Sequence, residues 1–183
     1  MQTAGWRIAM TNTDWQHRFQ KIYEDGVAAW KAGHKSPADM FDPDAVAFLS
    51  GIGCTAQELF DFVDDSQRYG EPDFATTLAV TTIRRDYFLT VMKGKPTGRT
   101  VSMGDLPAKT AAVDGIAWLP RLIVKARVKL RGEMPADLMY GCGGDRPFLS
   151  EMKMDLPGFL KLVWDCGDDD RRIIETVKKS AGL

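Results

Sequence analysis

The stretch FLSGIGCTAQELFDFVDD (residues 48–65) returns, at a constant offset of 100, as FLSEMKMDLPGFLKLVWD (residues 148–165). Phe48/Phe148, Leu49/Leu149, Ser50/Ser150, Val63/Val163 and Asp65/Asp165 are identical. Ile52/Met152, Leu59/Phe159, Phe60/Leu160 and Phe62/Leu162 keep apolar character. Upstream, PADM (37–40) matches PADL (135–138); downstream, Gly70 to Asp73 and Gly167 to Asp170 each open another helical stretch. Identity held at a fixed offset marks a repeated supersecondary unit. Helix-start chemistry falls at the same register in both copies. Thr55-Ala-Gln-Glu58 is a capping-box pattern, in which the threonine oxygen takes a first-turn amide while the glutamate reaches back. Asp155 stands at the matching place as an N-cap, with Pro157 early in its helix. The reading is a duplicated helical module.

Outward from this echo the helical period persists. Trp118, Leu122, Ala126 and Leu130 recur every four residues, Gly132 ends that helix, and Pro135 prevents its resumption. In the first half, Asp14 to Lys31 carries Trp15, Phe19, Tyr23, Val27 and Trp30 on one stripe. Asp73 to Lys93 is the longest helical stretch, and its threonines make it depend on burial rather than on intrinsic propensity. Residues 94–114, rich in glycine and proline, separate the copies, and a short strand is expected near Arg99–Met103. A connection of this length packs across a module rather than hanging free. The sequence thus predicts a mainly α protein with at most a short β element. An arm covers residues 1–12, a first helical module 13–93, the connecting segment 94–114 and a second module 115–183, both modules forming one compact unit.

Composition excludes several function classes. Twenty-four basic and twenty-five acidic side chains give a net charge of −1, so no global field points to nucleic acid or anionic lipid. No apolar run reaches the ~18 residues of a membrane span. The opening residues carry no secretory-signal pattern, and Met10 offers a second start. Cys54, Cys142 and Cys166 make no paired framework, which with the missing signal reads as reduced thiols in the cytoplasm. Cys54 and Cys166 are expected to be buried and Cys142 accessible. His17 and His34 lie far from the thiols in sequence and no metal-ligand spacing occurs, so no metal and no cofactor is expected. Oligomeric state is not legible.

The runs Ile83-Arg-Arg-Asp-Tyr-Phe-Leu89 and Leu119-Pro-Arg-Leu-Ile-Val-Lys-Ala-Arg127, with Tyr140, Cys142 and Asp145-x-x-Phe148-Leu149, resemble the DUF5069 family over most of the chain after residue 12. That resemblance implies a small helical bacterial protein. It implies no reaction, and it carries over no catalytic residue, which leaves the catalytic set unknown.

The residues themselves offer candidates. YGCGGDR (140–146) permits two readings. Gly141, Gly143 and Gly144 would let amides approach an anion, beside Tyr140, the thiol of Cys142 and a helix N-terminus. Alternatively the glycines only permit positive φ, and Asp145 caps the next helix. Arg121 and Lys125, one turn apart, either clamp a carboxylate or phosphate, or snorkel from a buried helix or pair with acids of the other module. Arg84-Arg85-Asp86, inside an apolar helix, reads as a buried Arg–Asp pair. Gly167-Asp-Asp-Asp-Arg171 reads as an acidic helix start rather than a cation site.

The expectation is a cytoplasmic protein that binds a small carboxylate- or phosphate-bearing ligand between its modules, through Arg121, Lys125, Tyr140, Cys142, Gly143, Gly144 and Asp145. Whether it is also an enzyme stays open. The rival is a protein–protein interaction or regulatory module without a small ligand.

Overall fold

The computed structural model describes residues 12–183; apart from Asn12, the arm expected over residues 1–12 lies outside the described residues. The first half runs through α1 (Asn12–Lys31), α2 (Pro37–Met40), α3 (Pro43–Gly51), α4 (Ala56–Tyr69) and α5 (Phe74–Thr90). After a 3-10 turn at Met103–Asp105 come two two-residue strands, β1 (Ala112–Val113) and β2 (Ile116–Ala117). Four helices follow: α6 (Leu119–Arg131), α7 (Asp145–Glu151), α8 (Leu156–Cys166) and α9 (Asp170–Ala181). The protein is mainly α, and the β content among the described residues is this single antiparallel hairpin. Its turn residues, Asp114 and Gly115, both take positive φ (50° and 79°), the backbone that a tight two-residue hairpin requires. The strand expected near Arg99–Met103 is therefore displaced toward the next helix.

Sequence chemistry accounts for the boundaries. Proline sits in the first turn of α2 and α3, behind the N-caps Ser36 and Asp42. The Thr55 capping box is complete, since the Glu58 amide donates to the threonine hydroxyl and the Glu58 carboxylate accepts from the Thr55 amide. Asp73, Asp155 and Asp169 cap α5, α8 and α9. Gly132 ends α6 in the left-handed conformation.

Two cores form. One gathers Trp15, Phe19, Leu49, Leu59 and Val63 beneath α1–α4; the other gathers Leu119, Leu122, Phe159, Leu160, Val163 and Ile173. α5 links them: Phe74 packs with Phe19 and Tyr23, while Val80 belongs to the second core and Tyr87 meets Trp164 edge-on at 5.5 Å. The connecting segment lies on the protein as expected, with Val101 N–H donating to the Glu133 carbonyl and Leu106 buried. No single described helix is long and apolar enough to cross a membrane.

The sequence echo has a local structural counterpart. After α3, Gly53 N–H donates to Ser50 and Cys54 N–H to Leu49; after α7, Lys153 N–H donates to Ser150 and Met154 N–H to Leu149. These are the paired bonds of a Schellman stop, and they need a left-handed residue at position 53 or 153. Val63 and Val163 are both buried, whereas Phe48 is buried and Phe148 only half-buried. Beyond the stop the copies differ in proportion, with 17 residues in α5 and 12 in α9.

The two stops should respond oppositely to substitution. Lys153 holds φ at 53°, a strained value for a side-chain-bearing residue, so Lys153→Gly should raise stability by up to ~1 kcal/mol. At Gly53 an added Cβ would lie 2.7 Å from the Phe88 ring, so Gly53→Ala should cost about 1–3 kcal/mol. Denaturant midpoints of both variants check this; a destabilised Lys153→Gly or a neutral Gly53→Ala would refute the assignment.

Candidate functional site

The YGCGGDR turn folds around one carboxylate. Asp145 is fully buried, and its oxygens accept from Trp118 Nε1 (3.0 Å), Lys125 Nζ (2.5 Å) and the Gly141 amide (2.8 Å). The expected capping role is thus corrected: Gly144 holds the cap position of α7 with no side-chain cap, and Asp145 turns inward. Lys125, 1% exposed, also donates to Cys142 Sγ at 3.4 Å. The glycines have steric reasons. A Cβ on Gly144 would meet the Trp118 ring at 2.5 Å, and one on Gly141, at φ +89°, would meet Leu156 at 2.8 Å. At Gly143 an added Cβ would meet only Arg146 Nη2, at an ordinary contact distance of 3.9 Å. Tyr140 is buried, its hydroxyl donates to the Leu156 carbonyl at 2.7 Å, and burial pushes its pKa well above the ordinary value.

Of the two cations among the seven residues first singled out, one is paired and the other, without a carboxylate partner among the described residues, is held by a backbone carbonyl. Lys125 is neutralised by Asp145, and Arg121 donates to the Pro107 carbonyl at 2.7 Å, fixing the connecting segment. Arg146, at the end of the turn, reaches the first half, pairing with Asp65 (2.7 Å) and Glu71 (3.3 Å). The hollow beside Cys142 and Gly143 is lined by Asp65 and Glu71 as well as Arg146, so an anion there would face carboxylates. The structure brings Lys125, Tyr140 and Asp145 together as a buried knot with the half-exposed Cys142 at its edge, and Arg121 stands outside it.

A different arrangement surrounds Arg84. The sequence expectation of a buried Arg–Asp pair is corrected: only the half-exposed Asp86 pairs, and it pairs with Arg85, at 3.3 Å. Arg84 is 3% exposed, and no carboxylate of the described residues lies within ion-pair distance. Its Nη1 points at Met92 Sδ (3.6 Å), its guanidinium lies 5.2 Å from the Phe88 ring centre, and its Nε has no hydrogen-bond partner. Arg85 Nε is likewise buried and unpartnered, with its guanidinium 4.7 Å from the Trp15 ring centre. A Cβ on Gly132 would run into the Arg84 guanidinium, so glycine there serves both the left-handed helix end and this close approach.

Both arginines line a cleft of about 1050 Å³ between the α3–α4 connection, the end of α5 and Gly132. Lys93 lines it too, and among the described residues no acidic side chain does. Ser50, Gly51, Thr55, Leu89, Gly94 and Pro96 form the neutral, exposed part of the wall. Behind the wall lies a buried pair, Glu58 with Lys129, at 2.8 Å. Burial alone would raise the Glu58 pKa, but the charge and hydrogen bond of Lys129 and the Thr55 amide together hold it below the usual carboxylate value. Burial lowers the Arg84 pKa from its ordinary value, with Glu58 acting the other way. An arginine nevertheless stays charged in a protein. Cys54, the thiol on this cleft, is pushed up to about 12 by burial and by the Glu58 charge.

Other sites resolve structurally. Asp169 and Asp170 open α9, and Asp170 pairs with Arg127 at 2.5 Å, as an acidic helix start should. All three cysteines are free; Cys54 is buried, but Cys166 is half-exposed like Cys142, contrary to expectation. Sequence reasoning passed over Arg84 because Asp86 stood nearby. The available signal was the count, two arginines against one acid on an apolar helix face.

Residues 106–182 match the family model of DUF5069, a domain of unknown function. The match supports the resemblance from the connecting segment's end through α9, and the Ile83–Leu89 run lies outside it. No curated protein and no solved structure matches the chain. The cleft around Arg84 is built mostly from residues before the matched stretch.

Two predictions follow from the buried pairs. Lys125→Met strands the buried Asp145 carboxylate and should cost about 3–5 kcal/mol in equilibrium unfolding; a variant as stable as the parent would show the knot to be energetically idle. Glu58, with a folded pKa below its unfolded value, contributes stability that is present above about pH 4.3 and lost as pH falls through the folded value. Glu58→Gln should therefore flatten the acid limb of a stability–pH profile, and an unchanged limb would contradict the assignment.

Proposed function

We propose that this protein binds a small anionic ligand in the cleft over Arg84. The observation that carries the reading is a buried guanidinium without a carboxylate partner, beside Arg85 and Lys93 and with no acid among the described lining. Buried charges are ordinarily paired, so an unneutralised one facing a cleft calls for a counter-ion. The ligand class is the one expected from sequence, but the site moves from the glycine-rich turn, whose cations are engaged, to the end of α5. Binding is favoured over covalent catalysis because the thiol of Cys54 is held protonated and the hydroxyls of Ser50 and Thr55 have no histidine or carboxylate beside them in the lining.

The test is thermal unfolding with inorganic phosphate or citrate against chloride of equal ionic strength. Both anions should stabilise the parent, since only binding to the native state raises apparent stability. Arg84→Met removes an uncompensated buried charge, so the variant should be as stable as the parent or more so without anion, and should lose the anion effect. Retained anion stabilisation in Arg84→Met, or its absence in the parent, would sink the proposal.

A further inference from the structure

Resting on that reading, we infer that the cleft selects a phosphomonoester, with its dianionic phosphate at the arginines and a neutral polar organic body toward solvent. The first argument is charge. Arg84, Arg85 and Lys93 face the cleft; Asp86, half-exposed, offsets part of Arg85, and Glu58 and Lys129 cancel each other behind the wall. About two positive charges remain, which a phosphomonoester matches at neutral pH and a monocarboxylate leaves half uncompensated.

The second argument is donor geometry. Arg84 Nε and Arg85 Nε are both buried and unpartnered, and they belong to consecutive residues on the last turns of α5. Arg84 Nη1 has only the weak sulfur acceptor of Met92. Lys93, from the loop beyond the helix, also lines the cleft and adds a third positive charge to it. A phosphoryl group offers three terminal oxygens to such a set, where a carboxylate offers two. The third argument is size. About 1050 Å³ lies at the upper end of small-molecule sites and far exceeds what inorganic phosphate fills. The charged end is deep, because Arg84 is 3% exposed. The mouth carries the hydroxyls of Ser50 and Thr55 and the bare backbone of Gly51 and Gly94 beside the apolar Leu89 and Pro96, a mixed surface suited to a body with both hydroxyls and apolar faces, as a sugar has.

Calorimetric titration with glucose 6-phosphate, its methyl phosphodiester, glucuronate and glucose separates the possibilities. The inference expects glucose 6-phosphate to bind at least about tenfold more tightly than the diester or glucuronate, with glucose undetected. Lys93→Gln, at an exposed position that leaves folding intact, should narrow that preference, and Arg84→Met should abolish binding. If phosphate, diester and carboxylate bind alike and all through Arg84, selection of a phosphomonoester is overturned while anion binding stands. If nothing binds while inorganic phosphate still stabilises the parent, the phosphomonoester is overturned and anion binding stands; if binding survives in Arg84→Met, both fall together.

Discussion

Glu58 has both carboxylate oxygens committed inside the protein, one to the Thr55 amide at the start of α4 and one to the Lys129 ammonium on α6. The first contact completes a local cap; the second joins residues 71 positions apart. Each would be weak in water, but here both groups are almost out of solvent, so losing either partner would leave an unpaired buried charge. The pair ties α6 to α4 across the protein, while α6 packs on α5 and α8. Gly132, three residues beyond Lys129, lies against the Arg84 guanidinium.

Lys125 and Lys129 stand one helical turn apart on α6 and divide the labour. Lys125 ties the glycine-rich turn of its own half through Asp145, and Lys129 ties the other half through Glu58. Two ammonium groups on one buried face would repel, and each carries its own carboxylate at hydrogen-bond distance. Arg146 repeats the device at the rim, joining the turn to Asp65 and Glu71. The halves are therefore held by specific ion pairs as well as by the apolar seam of α5 with α6 and α8.

Much of the fold was legible because its signals are local. The Thr55 and Asp155 caps, the Gly132 stop and the acidic start of α9 depend on residues within one turn, and each has the form its sequence predicts. The hairpin was missed because its strands hold two residues each, too few for any alternation to register, although Asp114-Gly115 was its turn signal. The site was less legible for a different reason. Arg121, Lys125 and Asp145 looked like an open cluster of charge, yet whether a charge is free depends on its partner across the fold, and the 20-residue separation of Lys125 from Asp145 conceals that contact. Arg84 was misread in the opposite direction, since a nearby aspartate suggested a pair that Arg85 makes instead.

What remains is why an unpaired guanidinium persists in so ordered a setting. Glu58 is already neutralised by Lys129, so the three buried charges sum to one positive unit. A ring face at 5.2 Å and a thioether sulfur are poor substitutes for a carboxylate, and burial works against the charged form throughout. Replacing Arg84 by an apolar residue of similar length would remove that penalty, and nothing in the packing of α5 requires the charge. A group that lowers stability yet faces a cleft walled by two further cations is most simply understood as half of an interaction whose other half arrives from solution. On the proposed reading, the stability forgone in the free protein would be the source of the affinity, because an incoming anion would relieve a destabilisation that the fold has built in.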